Sequence, residues 1–535
     1  MDFVTIVIFL ALYYVRPQEW FAAFNSIHPI QLLSVLGFLA LIQSGTRVRA
    51  LLKTPLDWLI LTYLLWTLIC GFQFLTTLNR IQSVFLFYFV AVKALDGSIP
   101  RQKRFLGWWC FLILLVTALA IASPLGFDPL DSEKYVLGPM KGRLILYLSV
   151  FNNPNALGHG IIPVIPLIYY LFFWRNTFGK PGLLLMLLPF TCIFMTQSKG
   201  SYLSAFATIL ATLTFGRSKI AQFVILILAV SVGFGALYQL PRMHELDRAK
   251  SDEAIQGRVA AFTYGLYLMR THFFGIGFGN FEESFLTQGP TATFTSHRWV
   301  TVGQSSRMRT VTYVSHYRKA THCTYNQNGA EFGYFGLYLF IGIMYCALRT
   351  LLLVKCANDD EERIRRALFA MVVAYAVSSW MVDFCYRPTF FLLIATISAF
   401  HRNLIRKTEE PEEIIEDKTL VPSRPWLRRI PPVSLSGIPG LSSPAPAGVA
   451  ALPVASPAPT ALAHVRTPPV PLQPAVPRFA NSSGGKVRSV TARPTIEEVL
   501  RKRFIWTRLG IWDFVIIGIL TFLAILYWQY LIKTM

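Results

Sequence analysis

Residues 241–325 lie between long apolar runs, yet they hold ten Lys/Arg against six Asp/Glu and five of the nine histidines of the chain. A guanidinium stays charged and grips an oxyanion through two parallel hydrogen bonds, so clustered arginines suit a multiply charged anionic substrate. Arg258 opens an amphipathic stretch from Val259 to Met269. Arg298, Arg307, Arg309, Arg318 and Lys319 then follow with no acid between them. The same cations also fit solvated loop positions or contacts to anionic lipid headgroups. His322, in Thr321-His322-Cys323-Thr324-Tyr325, carries an imidazole that can accept a hydroxyl proton near neutral pH. Lys199 sits in Gln197-Ser198-Lys199-Gly200, a tight turn between two apolar runs. An ionisable group at membrane depth points to function, although a lysine at a span end can also snorkel.

Other constellations carry less. Gly275-Ile276-Gly277-Phe278-Gly279-Asn280-Phe281 has no strand before it, which excludes a dinucleotide fold. His316 and His322 lack a third ligand at metal spacing, and the seven cysteines are scattered, so neither a metal site nor a disulfide framework is expected. Asp359-Asp360-Glu361-Glu362 reads as the solvated start of a helix. No cofactor is expected.

These residues must be positioned by membrane helices. The 535-residue chain is 54% hydrophobic and 15% charged. Its apolar runs lack dyad alternation, so they select helices over a barrel. The spans fall at 3–15, 30–44, 56–74, 80–95, 105–123, 156–174, 183–197, 200–215, 220–240, 328–354, 365–383 and 387–402, with a thirteenth at 510–532. Cations gather in the loops after even-numbered spans, so the positive-inside rule places the N-terminus in the cytoplasm and loops 124–155 and 241–327 outside. The net charge of +22 therefore reflects topology, not nucleic-acid binding. Residues 403–503 hold 17 of the 32 prolines and read as a disordered cytoplasmic linker. The expected fold is thus an all-α polytopic membrane protein of about 12 spans with a large periplasmic loop. Its parts are a bundle (1–402) with loop 241–327, the linker (403–503) and a C-terminal membrane helix (504–535).

Over roughly residues 50–402 the chain resembles the O-antigen ligase family, which also takes in related oligosaccharide transferases and O-antigen polymerases. His322 is followed nine residues on by Glu331, then Gly333 and Gly336, as in that family's signature. Gly257-Arg258, the Gly-x-Gly-x-Gly-Asn run and Asn153-Pro154-Asn155 match further elements in order. Lys199 stands where the family has an arginine, and Cys323 where it has an asparagine.

The resemblance implies metal-independent transfer of a glycan from a polyprenyl-pyrophosphate carrier to an acceptor hydroxyl, at the periplasmic face of the bacterial inner membrane. His322, Arg258 and Lys199 would be catalytic, and Arg143, Asn155, Asn280, Tyr325 and Glu331 would bind substrate. The acceptor could be a glycan, lipid A core or protein. A polysaccharide polymerase on the same donor and a glycan or lipid transporter are the rival readings.

Overall fold

The computed structural model describes residues 2–21, 28–45, 51–138, 140, 142–176, 179–241, 243, 253–302, 305–384, 386–409 and 508–534. Helices of the N-terminal half are α1 (Asp2–Val15), α2 (Pro29–Gln43), α3 (Pro55–Ile69), α4 (Phe74–Leu95), α5 (Ile99–Ala122), α6 (Pro154–Phe173) and α7 (Pro181–Thr196). They continue as α8 (Lys199–Thr214), α9 (Lys219–Tyr238), α10 (Glu253–Thr271), α11 (Phe281–Gln288), α12 (Thr324–Leu353), α13 (Asp359–Ser378), α14 (Pro388–Glu409) and α15 (Ile511–Thr534). Each expected span contains a helix. Among the described residues, seven helices are long and apolar enough to cross a membrane, namely α4, α5, α6, α9, α12, α14 and α15, while α2, α3 and α7 are shorter and apolar. The chain is a multi-pass membrane protein with a helical bundle.

Local chemistry sets the helix starts. Asn153 caps α6 ahead of Pro154, Ser198 caps α8 and Asn358 caps α13. The expected turn at Gln197–Gly200 is present, with Gln197 in the left-handed conformation at φ 48°. α12 packs on α3, α10, α13, α14 and α15, so the helix that follows His322 is the hub of the bundle.

Three expectations change. Loop 241–327 contains α10 and α11, and a hairpin in which β1 (Ala292–Val302) pairs antiparallel with β2 (Ser305–Ser315). Its Thr- and Val-rich strands are β-branched and favour that geometry. The register sets Arg298 opposite Arg309 and Val300 opposite Arg307.

The last helix of the 1–402 bundle runs on to Glu409, so residues 403–409 are helix and not linker. The physical cause is polar anchoring. Asn403 Oδ1 accepts from Gly97 N at 2.6 Å, and Arg406 pairs with Asp96 at 3.5 Å. The rest of the linker lies outside the described residues.

Finally, the acidic start of α13 is only partly solvated. Glu361 is fully buried, and its carboxylate accepts from Ala357 N at 2.8 Å and Asn358 Nδ2 at 3.2 Å.

Candidate active site

His322 occupies a bend just before α12 with φ 51°, a conformation uncommon for a residue with a side chain. Its Nδ1 faces Asp383 Oδ2 at 3.6 Å, across 61 residues of sequence. Asp383 is itself held. Its Oδ1 accepts from the hydroxyl of the buried Thr321 and from Cys323 N at 3.1 Å. The end of α13 and the start of α12 are tied by backbone. Thr324 N donates to Ser379 O at 2.7 Å and Val382 O at 3.1 Å, and Phe384 N donates to Thr324 Oγ1 at 2.8 Å. A carboxylate on one side of an imidazole orients the ring and leaves the other nitrogen to take a proton.

Burial pushes the His322 pKa below its ordinary value, Asp383 pulls it up, and Arg258 and Lys319 push it down. The net shift is downward, so the ring stays neutral at physiological pH, as a base must. Arg258 is on α10. A Cβ added to the neighbouring Gly257 would stand 2.6 Å from Lys319 Nζ, so Lys319 packs on α10, and both cations are within electrostatic reach of the imidazole.

A second polar group surrounds the start of α8. Arg143 donates to Thr196 O at 3.1 Å and to Asn155 Oδ1 at 3.2 Å, and Ser198 Oγ donates to the same oxygen at 2.8 Å. Lys199 is the first residue of α8. A cation there opposes the helix dipole, and the free amides of a helix start favour an anion. His159, one turn after Asn155, links this group to the first. Its Nδ1 is 2.8 Å from Ser378 Oγ at the end of α13, and its buried Nε2 has no hydrogen-bond partner. That Nε2 would meet a Cβ on Gly200 at 3.0 Å, and Arg258 is within electrostatic reach of both His159 and His322.

Two clefts lie near these residues. One is lined by Tyr14, Trp109, Phe151, His159, Phe384 and Arg387. The other is lined by Tyr63, Thr67, Arg80, Phe278, Tyr386 and Phe391.

Three expected substrate-binding residues are placed as fasteners. The buried Glu331 accepts from Gly279 N at 3.0 Å, Phe281 N at 3.2 Å and Gln327 Nε2 at 3.3 Å, so it caps the start of α11. Asn280 Nδ2 donates to Ile276 O at 2.9 Å, and Tyr325 OH to Ala376 O at 3.0 Å. The glycine run is a backbone crossing. Gly275 has φ 66°, and a Cβ there would stand 2.2 Å from Glu331 O. Gly333 has φ 70°, and its Cβ would stand 2.0 Å from Phe273 O. Only glycine permits that approach.

Asp383 and His159 escaped the sequence reading. Asp383 carries no motif. His159 had one signal, its position one helical turn beyond Asn155.

The family model described as O-antigen ligase matches residues 184–341, which include Lys199, Arg258, His322 and Glu331. No curated protein matched the chain in sequence comparison. The match supports a role in glycan transfer or polymerisation in general, and it bears out the resemblance carried by the histidine and glycine motifs. Over residues 184–341 the chain is therefore similar to the O-antigen ligase family.

Proposed function

We propose that this protein transfers a glycan from a polyprenyl-pyrophosphate carrier to an acceptor hydroxyl, at the periplasmic face of the bacterial inner membrane. The observation that carries the reading is His322 held in a left-handed bend against Asp383, within electrostatic reach of Arg258 and Lys319. In this reading the neutral imidazole takes the proton of the acceptor hydroxyl as its oxygen attacks the anomeric carbon. The glycosidic bond to the phosphate breaks, and the pyrophosphate leaves with the electron pair. Arg258, Lys319 and the Arg143–Lys199 group stabilise the charge that grows on it. Asp383 holds the ring and stabilises the imidazolium. A pyrophosphate is already a good leaving group, so side-chain cations suffice and no metal is invoked.

The test uses membranes or purified protein with a lipid-linked glycan donor in the presence of EDTA. Wild-type protein should transfer glycan, while His322→Ala and Arg258→Ala should lose nearly all of it. Transfer by both variants at the wild-type rate would sink the proposal.

A further inference from the structure

We propose that α15, which lies beyond the matched residues 184–341, is a working part of the site and positions it through Trp528. The inference rests on the reading that His322 and Asp383 carry the chemistry.

A terminal apolar helix could be no more than an anchor. Two observations argue otherwise. The first is that α15 has one buried face, formed by Asp513, Ile517, Thr521, Ala524 and Trp528 at helical spacing. Its other faces carry exposed residues such as Trp512, Phe522 and Tyr530. Asp513 is only 2% exposed and pairs with Arg349 of α12. It also accepts from Tyr345 OH at 2.8 Å and from Gly510 N at 2.7 Å. A buried charge inside a membrane bundle is costly unless paired, so this contact fixes the register of α15 along α12. Ile517 packs against Gly342 of α12.

The second observation is what that register delivers at the opposite end. Trp528 is fully buried, with its ring centre 5.8 Å from that of Trp380, and Tyr527 meets Trp380 edge-on at 5.5 Å. Trp380 lies 5.0 Å from Tyr325. Trp380 stands between Ser379 and Val382, whose carbonyls receive the Thr324 amide, and Asp383 follows. Tyr325 stands three residues after His322 on the first turn of α12. The indole of α15 therefore backs Trp380 directly and Tyr325 through Trp380, on the two chain segments whose spacing sets the 3.6 Å approach of His322 to Asp383. α15 also packs on α10, which carries Arg258. A sub-ångström slip there would misplace base and orienting carboxylate together, and misplacements of about 1 Å cost up to roughly 10²-fold in rate.

The experiment compares full-length Trp528→Phe, Trp528→Leu and Trp528→Ala with wild type in the lipid-linked donor assay, measuring kcat, KM and the pH profile. The lipid-facing Trp512→Ala serves as control. The expected result is a graded fall in kcat from Phe through Leu to Ala, reaching roughly 10- to 100-fold. The donor KM should stay within about twofold, the low-pH limb should move, Phe should retain most activity, and Trp512→Ala should match wild type. If the Ala variant does not fold, the Leu variant carries the comparison. Folded Leu or Ala variants with wild-type kcat and pH limb overturn the inference. So does a loss that follows thermal stability alone and leaves the pH limb unmoved. Activity surviving in His322→Ala would instead overturn the proposed reaction, and the two failures are separate.

Discussion

Two acid–base pairs of this bundle differ in burial and in how completely they are satisfied. Asp57 is fully buried and accepts from Thr54 N at 2.8 Å, Thr54 Oγ1 at 2.7 Å, Tyr88 OH at 2.9 Å, Ser398 Oγ at 2.6 Å and Arg402 Nη2 at 2.7 Å. Each carboxylate oxygen is engaged, and Arg402 is buried beside it. At the other pair, Asp383 spends one oxygen on Thr321 and Cys323, which flank His322, and offers the second to His322 across 3.6 Å, longer than a full hydrogen bond. Both residues remain partly exposed. A saturated cluster has nothing left to give a ligand and acts as a fastener between α3, α4 and α14. An unsaturated one beside cations retains the capacity for chemistry. Burial of a charge does not by itself mark function; residual hydrogen-bonding capacity does.

Four experiments break or sharpen that contrast. The largest effect should come from His322→Ala, with transfer falling roughly 10²- to 10⁴-fold while the protein melts normally. If activity persists, the unsaturated pair is not the site. Next is Asp57→Ala, which leaves Arg402 buried without its partner. It should lower stability by about 3–5 kcal/mol, read by thermal unfolding in detergent. Material that survives should keep the wild-type pH profile. A shifted profile with normal stability would mean that the fastener takes part in the reaction.

Asp383→Asn should cost less, roughly 10- to 100-fold, because the base remains and only its orientation and charge support are lost. The smallest effect concerns pH. His322 must be neutral to act, so activity falls as pH drops through its pKa, and the downward shift holds that limb below the ordinary value of about 6.5. Arg258→Gln removes a charge that pushes the pKa down, so the residual activity should lose its acid tolerance and the limb should move to higher pH. Asp383→Asn removes a charge that pulls it up, so its limb should move the opposite way. Limbs that stay put in both variants would separate His322 from the observed ionisation.

Some of this was legible in the residues alone. Apolar run length dictated where helices lie, because lipid requires every backbone group to be paired within its own segment. The spacing of His322, Glu331, Gly333 and Gly336 pointed to the family, and the charge pattern separated Arg258 and Lys199 from the bulk of the chain. Those signals are local, within one helix or one turn. Only the tertiary structure decided what each group touches. It brought Asp383 to His322 and turned Glu331 into the cap of α11. It also made the glycine run a crossing of backbones and set Trp528 behind the turn that precedes Asp383. Hydropathy and spacing report on segments tens of residues long, whereas hydrogen-bond partners here are chosen across 50 to more than 300 residues by how the helices pack.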